Sequence, residues 1–330
     1  MGSKLLRDLD SILAPVEVAQ ARVEEVLSRC AAESEIPVLH SVLSSVLGGP
    51  AKRLRPAITL LVGAGYGVET DDLVHLAAGT EALHSATLVH DDIVDAAASR
   101  RGRPAIHVAW SDAIAVLAGD YLFATAAELI ARVDRPIIVR QFSQTIHLMC
   151  RSEFVEPVFD GNADGVRAQY LEKIGNKTAS LVALSCDAAA VVVEATPNEA
   201  SALHDFGWSL GMAFQITDDI LDVVGVADVT GKPVGGDLQA GLLTLPVIEY
   251  MDVESEPEPC IRRLMGGEEL SPGEAVVAIE AIRASSAIEA ASRQASMFAD
   301  KARRSLARLP AHSAFDSLAE LVTYATERNR

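Results

Sequence analysis

An acidic triplet, Asp-Asp-x-x-Asp, occurs twice in this sequence, beginning at Asp91 and at Asp218, each time among apolar residues at helical intervals. On a helix, Asp91 and Asp95 are about one turn apart and share a face. One such triplet is typical of a solvated helix face, whereas a second copy favours a functional interpretation. Mg²⁺ needs only one or two carboxylates when a ligand's phosphates supply the other oxygens. Two triplets facing each other across a helix bundle would clamp one diphosphate through several ions.

The composition predicts an all-α chain. Of its 330 residues, 49% are hydrophobic and only 5% aromatic, and strand-like alternation is almost absent. The patterns at residues 108–133 and 136–158 predict two long core helices. We therefore expect residues 1–330 to form one domain, a single large helical bundle whose central cavity is lined by the two Asp-rich helices.

The net charge of −18 argues against nonspecific nucleic-acid binding, which depends on clustered lysine and arginine. The four cysteines have no CxxC spacing, so neither a zinc site nor a disulfide framework is expected, and the cytoplasm is the predicted location. The first residues do not resemble a signal peptide. The apolar runs are shorter than the ~20 residues that span a bilayer, so no transmembrane segment is expected.

Cationic residues flank the first triplet. They are Lys52, Arg53 and Arg55 before an apolar helical run, and Arg100, Arg101 and Arg103 after the triplet, with Gly102 and Pro104 interleaved. A helix entrance with added cations favours an anion, and guanidinium groups bind phosphate oxygens in pairs. The alternative for the first group is a basic surface turn.

Further candidates occur near the second triplet. Lys173 and Lys177 are about one turn apart and could both face a phosphate, although either could be a solvated surface lysine. Gln215 lies on the same helical stripe as Asp218 and Asp222. A glycine-rich loop at residues 225–241 carries Lys232 and could fold over a ligand.

With these residues in view, the chain resembles the all-trans polyprenyl diphosphate synthases of the farnesyl and geranylgeranyl diphosphate synthase superfamily, over residues 48–246. The motifs that carry the resemblance are Lys-x-x-Arg-Pro at Lys52, Glu-x-x-His at Glu81, the first triplet followed by Arg-Arg-Gly at Arg100, Lys-Thr at Lys177, Gln-x-x-Asp-Asp-x-x-Asp at Gln215, and Gly-Lys at Gly231 before Asp-Leu-x-x-Gly-x-x-Thr-Leu-Pro.

The resemblance implies a helical bundle of the isoprenoid synthase type and a role for each matching position. Asp91 and Asp95 would hold two of three Mg²⁺ ions, Asp218 with Asp222 would hold the third, and Asp92 and Asp219 would assist. Arg100, Lys177 and Lys232 would grip the allylic diphosphate, Gln215 and Thr178 would lie near the reacting carbon, and Lys52, Arg55, His84 and Arg101 would bind isopentenyl diphosphate.

The resemblance also implies the reaction: Mg²⁺-dependent ionisation of an allylic diphosphate, farnesyl or geranylgeranyl diphosphate, followed by condensation with isopentenyl diphosphate. Small residues at Ala86 and Thr87, with Leu83 one turn earlier, suggest an all-trans product longer than C20. A homodimer is expected, with transient membrane contact during product release.

Two positions depart from the family pattern. Leu242 stands where many members have lysine, and Pro50-Ala51 separates Gly49 from Lys52. The alternatives are a short-chain farnesyl or geranylgeranyl diphosphate synthase, a class I terpene cyclase, and a noncatalytic synthase subunit. The cyclases usually lack the Lys-x-x-Arg and Arg-Arg-Gly pair, and a noncatalytic subunit would normally have lost its acids.

Overall fold

The computed structural model describes residues 9–32, 35–49, 51–159, 161–225 and 234–327, and nearly all of their regular structure is helical. The helices are α1 (Leu9–Leu13), α2 (Glu17–Ala32), α3 (Pro37–Leu47), α4 (Leu54–Gly65), α5 (Asp71–Val94), α6 (Ile106–Ala109), α7 (Asp112–Ala131), α8 (Pro136–Glu153), α9 (Ala163–Ile174), α10 (Ser180–Val192), α11 (Pro197–Val224), α12 (Gly236–Gln239), α13 (Leu245–Val253), α14 (Pro259–Met265), α15 (Pro272–Ala284), α16 (Ala287–Leu306) and α17 (Ser313–Thr326). A 3-10 turn, Ala14–Val16, joins α1 to α2, and a π-helical turn, Gly175–Ala179, joins α9 to α10. The predicted all-α class is confirmed.

The chain divides into two compact units built from non-consecutive segments. The first takes in the residues up to Gln144 together with Leu184–His204 and Arg308–Glu320, and the second takes in Thr145–Ala183, Asp205–Ala307 and the residues from Leu321 onward. The single domain expected from the sequence stays a prediction.

Helix α5 is the central element of the first unit and carries the first acidic triplet at its end. It begins with Asp71 and Asp72, whose negative charges suit the positive end of a helix. It packs against α2, α4 and α7, and its buried residues, among them Leu76, Leu83 and Val89, occur on most sides of the helix. Such burial holds the last turn of α5 in a fixed direction.

A short hairpin follows α5. Strands β1 (Ser99–Arg100) and β2 (Arg103–Pro104) pair antiparallel, with Arg100 opposite Arg103. The two turn residues both have positive φ, 52° at Arg101 and 74° at Gly102, which is the pattern of a type I′ turn. This turn returns the chain beside the end of α5, so that the arginines stay near the acids.

The helix predicted from residue 108 to residue 133 is divided in the structure. Helix α6 ends at Ala109, and α7 begins at Asp112 because the Ser111 side chain accepts a hydrogen bond from the Ile114 N–H at 3.3 Å. Serine is a preferred N-cap, so a new helix start is favoured here. The next predicted helix ends at Glu153, earlier than expected.

Among the helices in the described residues, α7 is the one that is long and apolar enough to cross a membrane. It has 20 residues and a mean hydropathy of 1.6. From the sequence, every apolar run is expected to be shorter than a membrane span, and α7 differs from that expectation. Core helices satisfy the same length and composition, and α7 buries Ala115, Leu122 and Leu129 in the first unit. Its length and composition alone do not establish a membrane span.

The core of the second unit is formed by α9, the later part of α11 and helices α12 to α16, with Ile216, Ile248 and Ile282 among its buried residues. Helix α13 packs on α9, α15 and α16. Arg167 of α9 joins α13 through its Nε to Glu249 Oε1 at 2.7 Å and its Nη2 to Asp252 Oδ2 at 2.9 Å. These charge-assisted hydrogen bonds fix α9 in place.

Candidate active site

The first acidic triplet lies at the C-terminal end of α5, and Asp95 is the residue that caps the helix. Asp91 is partly buried and Asp95 is exposed, and the two share a face. Asp92 lies about 100° further round the helix and is buried. It accepts hydrogen bonds from Arg100, from Nε at 2.8 Å and from Nη2 at 2.5 Å. Arg100 thus balances the charge of Asp92 within the protein. Asp91 and Asp95 are the acids of the triplet on the accessible side of the helix.

His84 lies among arginines on both sides of the triplet. Burial lowers the pKa of His84 well below its ordinary value, and the positive charges of Arg55, Arg101, Arg100 and Arg53 lower it further. The structure therefore brings the loop before α4 and the hairpin after α5 to one imidazole. The lowered pKa favours the neutral imidazole, which donates a hydrogen bond from one ring nitrogen and accepts one at the other.

A small cavity of about 60 Å³ opens beside the hairpin. It combines guanidinium groups with an apolar wall from α3 and α5, and its lining comprises Ser45, Val46, Gly49, Ser85, Leu88, Val89, Asp92, Arg100, Arg101, Arg103, Pro104, Ala105 and Ile106. Burial lowers the pKa of Arg101, while the carboxylate of Glu81 opposes that change. Partly desolvated guanidinium groups favour an anionic ligand, since an anion restores the interactions that water no longer provides.

The predicted chain-length residues lie on α5. Leu83 and Ala86 are fully buried, and Thr87 is partly buried with its hydroxyl donating to the His84 carbonyl at 2.9 Å. The small side chain of Ala86 therefore belongs to the packed interior of the first unit.

In the second unit, the π-helical turn carries Lys177 and Thr178. Single π-turns often occur at functional sites, because they rotate side chains away from the regular helical positions. The turn lies against α11 at Gly211, where a Cβ would be 2.5 Å from the Ala179 Cα. A residue larger than glycine at position 211 would push α11 away from this turn.

Both lysines near this turn are paired with acids. Lys173 Nζ lies 2.5 Å from Glu156 Oε1, and Lys177 Nζ lies 2.9 Å from Glu153 Oε1. The lysines were identified from the sequence, whereas Glu153 and Glu156 were not. Glu153 is the last residue of α8 and Glu156 follows it, and only the tertiary structure places them beside the lysines.

A chain of hydrogen bonds links the second triplet to the π-helical turn. Thr178 Oγ1 donates to Gln215 Oε1 at 2.8 Å, Gln215 Nε2 donates to Asp219 Oδ1 at 2.8 Å, and Tyr170 OH donates to Asp219 Oδ2 at 2.5 Å. Burial and the charge of Asp237 raise the pKa of Asp219 to about 8. Asp219 is therefore held inside the protein, like Asp92, and it orients the Gln215 amide.

The other two acids of the second triplet differ in their surroundings. Asp218 is partly buried, and Asp222 accepts hydrogen bonds from the backbone N–H groups of Gly236 at 3.2 Å and Asp237 at 3.1 Å. These bonds attach the start of α12 to the triplet. Lys232, predicted to grip the allylic diphosphate, lies outside the described residues.

The sequence predicts most of the site but gives no individual role to Tyr170, Arg53 or Glu81. Arg53 is there only one of three cations before α4, and Glu81 only the first residue of the Glu-x-x-His motif. The signal that could have identified Glu81 is its position on α5, where a buried carboxylate requires a cationic partner.

The roles predicted for individual residues stay predictions, but the family can be decided by comparison. A family model for polyprenyl synthetases matches residues 36–282. The chain is 37% identical over 309 residues to heptaprenyl diphosphate synthase component 2 of Geobacillus stearothermophilus, a match that covers 94% of this chain and 95% of that protein. It is 35% identical over 321 residues to the all-trans-nonaprenyl-diphosphate synthase (geranyl-diphosphate specific) of Rhodobacter capsulatus, covering 96% and 97% of the two chains.

The fold agrees with this similarity. A crystal structure of a polyprenyl synthase from Caulobacter crescentus CB15, complexed with calcium and isoprenyl diphosphate, superposes with a TM-score of 0.91 at 32% identity, covering 99% of this chain and 100% of that chain. The chain therefore belongs to the polyprenyl synthetase family and is an all-α trans-prenyltransferase.

Proposed function

We propose that this prenyltransferase condenses isopentenyl diphosphate with an allylic prenyl diphosphate and releases an all-trans polyprenyl diphosphate longer than C20. The observation that carries the proposal is the position of Arg55, Arg100 and Arg101 around His84, with Arg100 bonded to Asp92 beside the other carboxylates at the end of α5. The names of the relatives, heptaprenyl and nonaprenyl diphosphate synthases, support a long product.

Mg²⁺ is the proposed cofactor, held by Asp91 and Asp95 in one unit and by Asp218 with Asp222 in the other. Within the described parts of the chain, no three histidine, cysteine or acidic side chains form a closed metal site. Paired carboxylates without sulfur or imidazole suit a hard ion that takes its remaining oxygens from water and phosphate. When bound, the ion stabilises negative charge on the diphosphate oxygens.

The chain's own groups perform the other parts of the reaction. Arg100 and Lys177 donate to the leaving diphosphate, which departs with the electron pair of the allylic carbon–oxygen bond. The Gln215 amide and the Thr178 hydroxyl lie near the reacting carbon. Lys52, Arg55, His84 and Arg101 hold isopentenyl diphosphate while its double bond attacks that carbon and forms the new carbon–carbon bond.

A proton then leaves the condensed cation and passes to the departed diphosphate, which lies beside the reacting carbons once its carbon–oxygen bond has broken. The apolar side chains of α5, including Leu83 and Ala86, exclude water from the cation. Each added five-carbon unit buries further apolar surface, at ~0.8 kcal/mol per methylene group. The growing chain is thereby kept on the enzyme, and the small side chains of Ala86 and Thr87 leave room for it to grow beyond C20.

We also propose that the active form is a homodimer. The outer face of α7 exposes a stripe of apolar residues, with Val116 at 44%, Leu117 at 63% and Tyr121 at 39% exposure. They recur at helical spacing together with the exposed Ala113 and Ala124. An exposed and largely apolar face of this kind, interrupted here by Asp120, is typical of an interface between proteins.

The test of the reaction is incubation of the purified chain with labelled isopentenyl diphosphate and, separately, geranyl, farnesyl or geranylgeranyl diphosphate. With Mg²⁺ we expect a ladder of prenyl alcohols that ends at one species longer than C20, and with a chelator we expect none. A product that stops at C15 or C20 would instead support a short-chain synthase. The absence of extension from every starter, both by the purified chain alone and after addition of an extract of its source cells, would contradict the proposal.

The experiment also tests whether the chain needs a partner subunit, since one relative is named as component 2 of a heptaprenyl diphosphate synthase. If the purified chain is inactive alone but active in an extract of its source cells, a partner subunit completes the enzyme. Size measurement of the active species then distinguishes a homodimer from a heteromer.

A further inference from the structure

Arg53 is buried although its neighbours Lys52 and Arg55 carry the proposed ligand-binding cations. Its side chain is 7% exposed. Its backbone adopts φ 47° and ψ 41°, in the left-handed region that residues with a Cβ rarely enter. This conformation turns Arg53 inward in the middle of a cationic segment, immediately before α4 begins at Leu54.

The guanidinium of Arg53 joins three separate elements. Nε donates to Glu24 Oε1 of α2 at 2.6 Å and Nη2 donates to Glu24 Oε2 at 3.3 Å. Nη1 donates to Glu81 Oε1 of α5 at 2.8 Å, and Nη2 also donates to the carbonyl of Leu47 at the end of α3. The planar guanidinium holds five N–H donors in a fixed geometry that can reach several acceptors, whereas the ammonium of lysine is a compact charge with three donors.

Glu81 extends this arrangement to the second cationic segment. It is 2% exposed, and its charge raises the pKa of Arg101 against the effect of burial. It also lies about one turn before His84 on α5. The buried carboxylate thus counters the repulsion among the arginines that surround His84 when no anionic ligand is bound.

We propose that Arg53 is a positioning residue that, through Glu24 and Glu81, fixes the loop before α4 so that Lys52 and Arg55 receive the diphosphate of isopentenyl diphosphate. The inference rests on the proposed assignment of these two cations to that substrate. Arg53, Glu24 and Glu81 form an ion group that does not contact the substrate. This group determines how well the diphosphate subsite for isopentenyl diphosphate is formed before the substrate binds. Preorganised donors bind a ligand more tightly because less order is lost on binding.

The experiment measures steady-state kinetics for each substrate while the other is saturating. The first variant is Glu24→Gln. The Glu24 side chain is 46% exposed, so the removal of its charge leaves no buried unpaired charge on α2. Arg53→Lys is the second, since it keeps the charge and removes the fork. For both we expect the KM for isopentenyl diphosphate to rise about 3- to 10-fold, with kcat and the allylic KM within about 2-fold.

Arg132→Lys is the matched control, because Arg132 forms an exposed ion pair with Glu128 in the same unit. We expect its kinetic constants to equal those of the wild type. If Arg53→Lys fails to fold, Glu24→Gln decides the question. An unchanged KM for isopentenyl diphosphate, or an equal rise in both KM values, would overturn the inference.

Lys52→Gln separates this inference from the assignment on which it rests. If Lys52→Gln raises the KM for isopentenyl diphosphate and Glu24→Gln does not, the substrate assignment holds and the role of Arg53 is wrong. If Lys52→Gln leaves that KM unchanged, the assignment itself is wrong, and the inference falls with it.

Discussion

Asp92 and Asp219 hold the same position in the two acidic triplets, and both side chains are buried, at 3% and 5% exposure. Asp92 pairs with Arg100, and Asp219 accepts hydrogen bonds from Tyr170 and Gln215. A residue one position after an outward-facing helical residue lies about 100° away, toward the packed side. The middle acid of each triplet therefore binds the scaffold, and the sequence could not show this without the identity of its partners.

The hydroxyl of Tyr170 is expected to contribute to stability. Tyr170→Phe leaves a buried carboxylate oxygen of Asp219 without its 2.5 Å hydrogen bond, which should lower the free energy of unfolding by about 1–3 kcal/mol. Urea unfolding measures the change.

Tyr66→Phe is the matched control, because the buried hydroxyl of Tyr66 has no hydrogen-bond partner among the described residues. Its removal should leave stability unchanged or raise it slightly. Equal losses in the two variants would show that the hydrogen bond to Asp219 is unimportant.

Ala86 is the residue whose enlargement should shorten the product. Ala86→Phe places an aromatic ring on the fully buried face of α5 where the prenyl chain is proposed to grow, and overpacking should cost about 1–3 kcal/mol of stability. We expect chromatography of the prenyl alcohols to show a shorter final species.

Ala77→Phe controls for the overpacking itself. Ala77 is also fully buried on α5, but it lies about half a turn round the helix from Ala86. It should reduce stability without changing the product length. The same shortening in both variants would show that Ala86 does not line the product tunnel.

At the level of elements, the last turn of α5 is held against α7 by His90. Its Nε2 lies 3.1 Å from the Val116 carbonyl, and its ring lies over Gly119, where a Cβ would be 2.1 Å from that nitrogen. Helical periodicity predicted both helices approximately. It could not show which glycine admits a side chain from the neighbouring helix, because that contact joins residues far apart in the chain.

Gly119→Ala should therefore displace His90 and loosen the turn that carries Asp91. We expect a loss of about 1–3 kcal/mol in the free energy of unfolding, together with lower prenyl transfer activity. Urea unfolding and the product assay, made on the same preparation, measure the two effects.

Gly273→Ala provides the comparison. Nothing lies within 4 Å of a Cβ at Gly273, which is in the first turn of α15. Replacement there should be neutral or should stabilise by about 0.4–1 kcal/mol through the unfolded chain. If both variants behave alike, the contact between His90 and Gly119 does not hold α5.

For the whole molecule, the proposed homodimer makes a prediction about the outer face of α7. Leu117→Glu places a charge on an exposed apolar stripe, so the dimer should dissociate at micromolar concentration. Light scattering after size-exclusion chromatography measures the mass.

Met297→Glu is matched to this change, since Met297 and Leu117 are both 63% exposed and Met297 lies in the other unit. That variant should remain a dimer. A monomeric wild type, or a Leu117→Glu variant that stays dimeric, would exclude α7 as the interface.

The all-α class, the two triplets and the family could be recognised without coordinates, because helical periodicity and motif spacing are local properties of the chain. The inward turn of Arg53, the burial of Asp92 and Asp219, and the hydrogen bond from Thr178 to Gln215 became visible only in the folded protein. Each of these depends on a partner from another part of the chain. Burial makes such partners obligatory, since an unpaired polar or charged group inside a protein is costly, but the spacing of residues does not identify them.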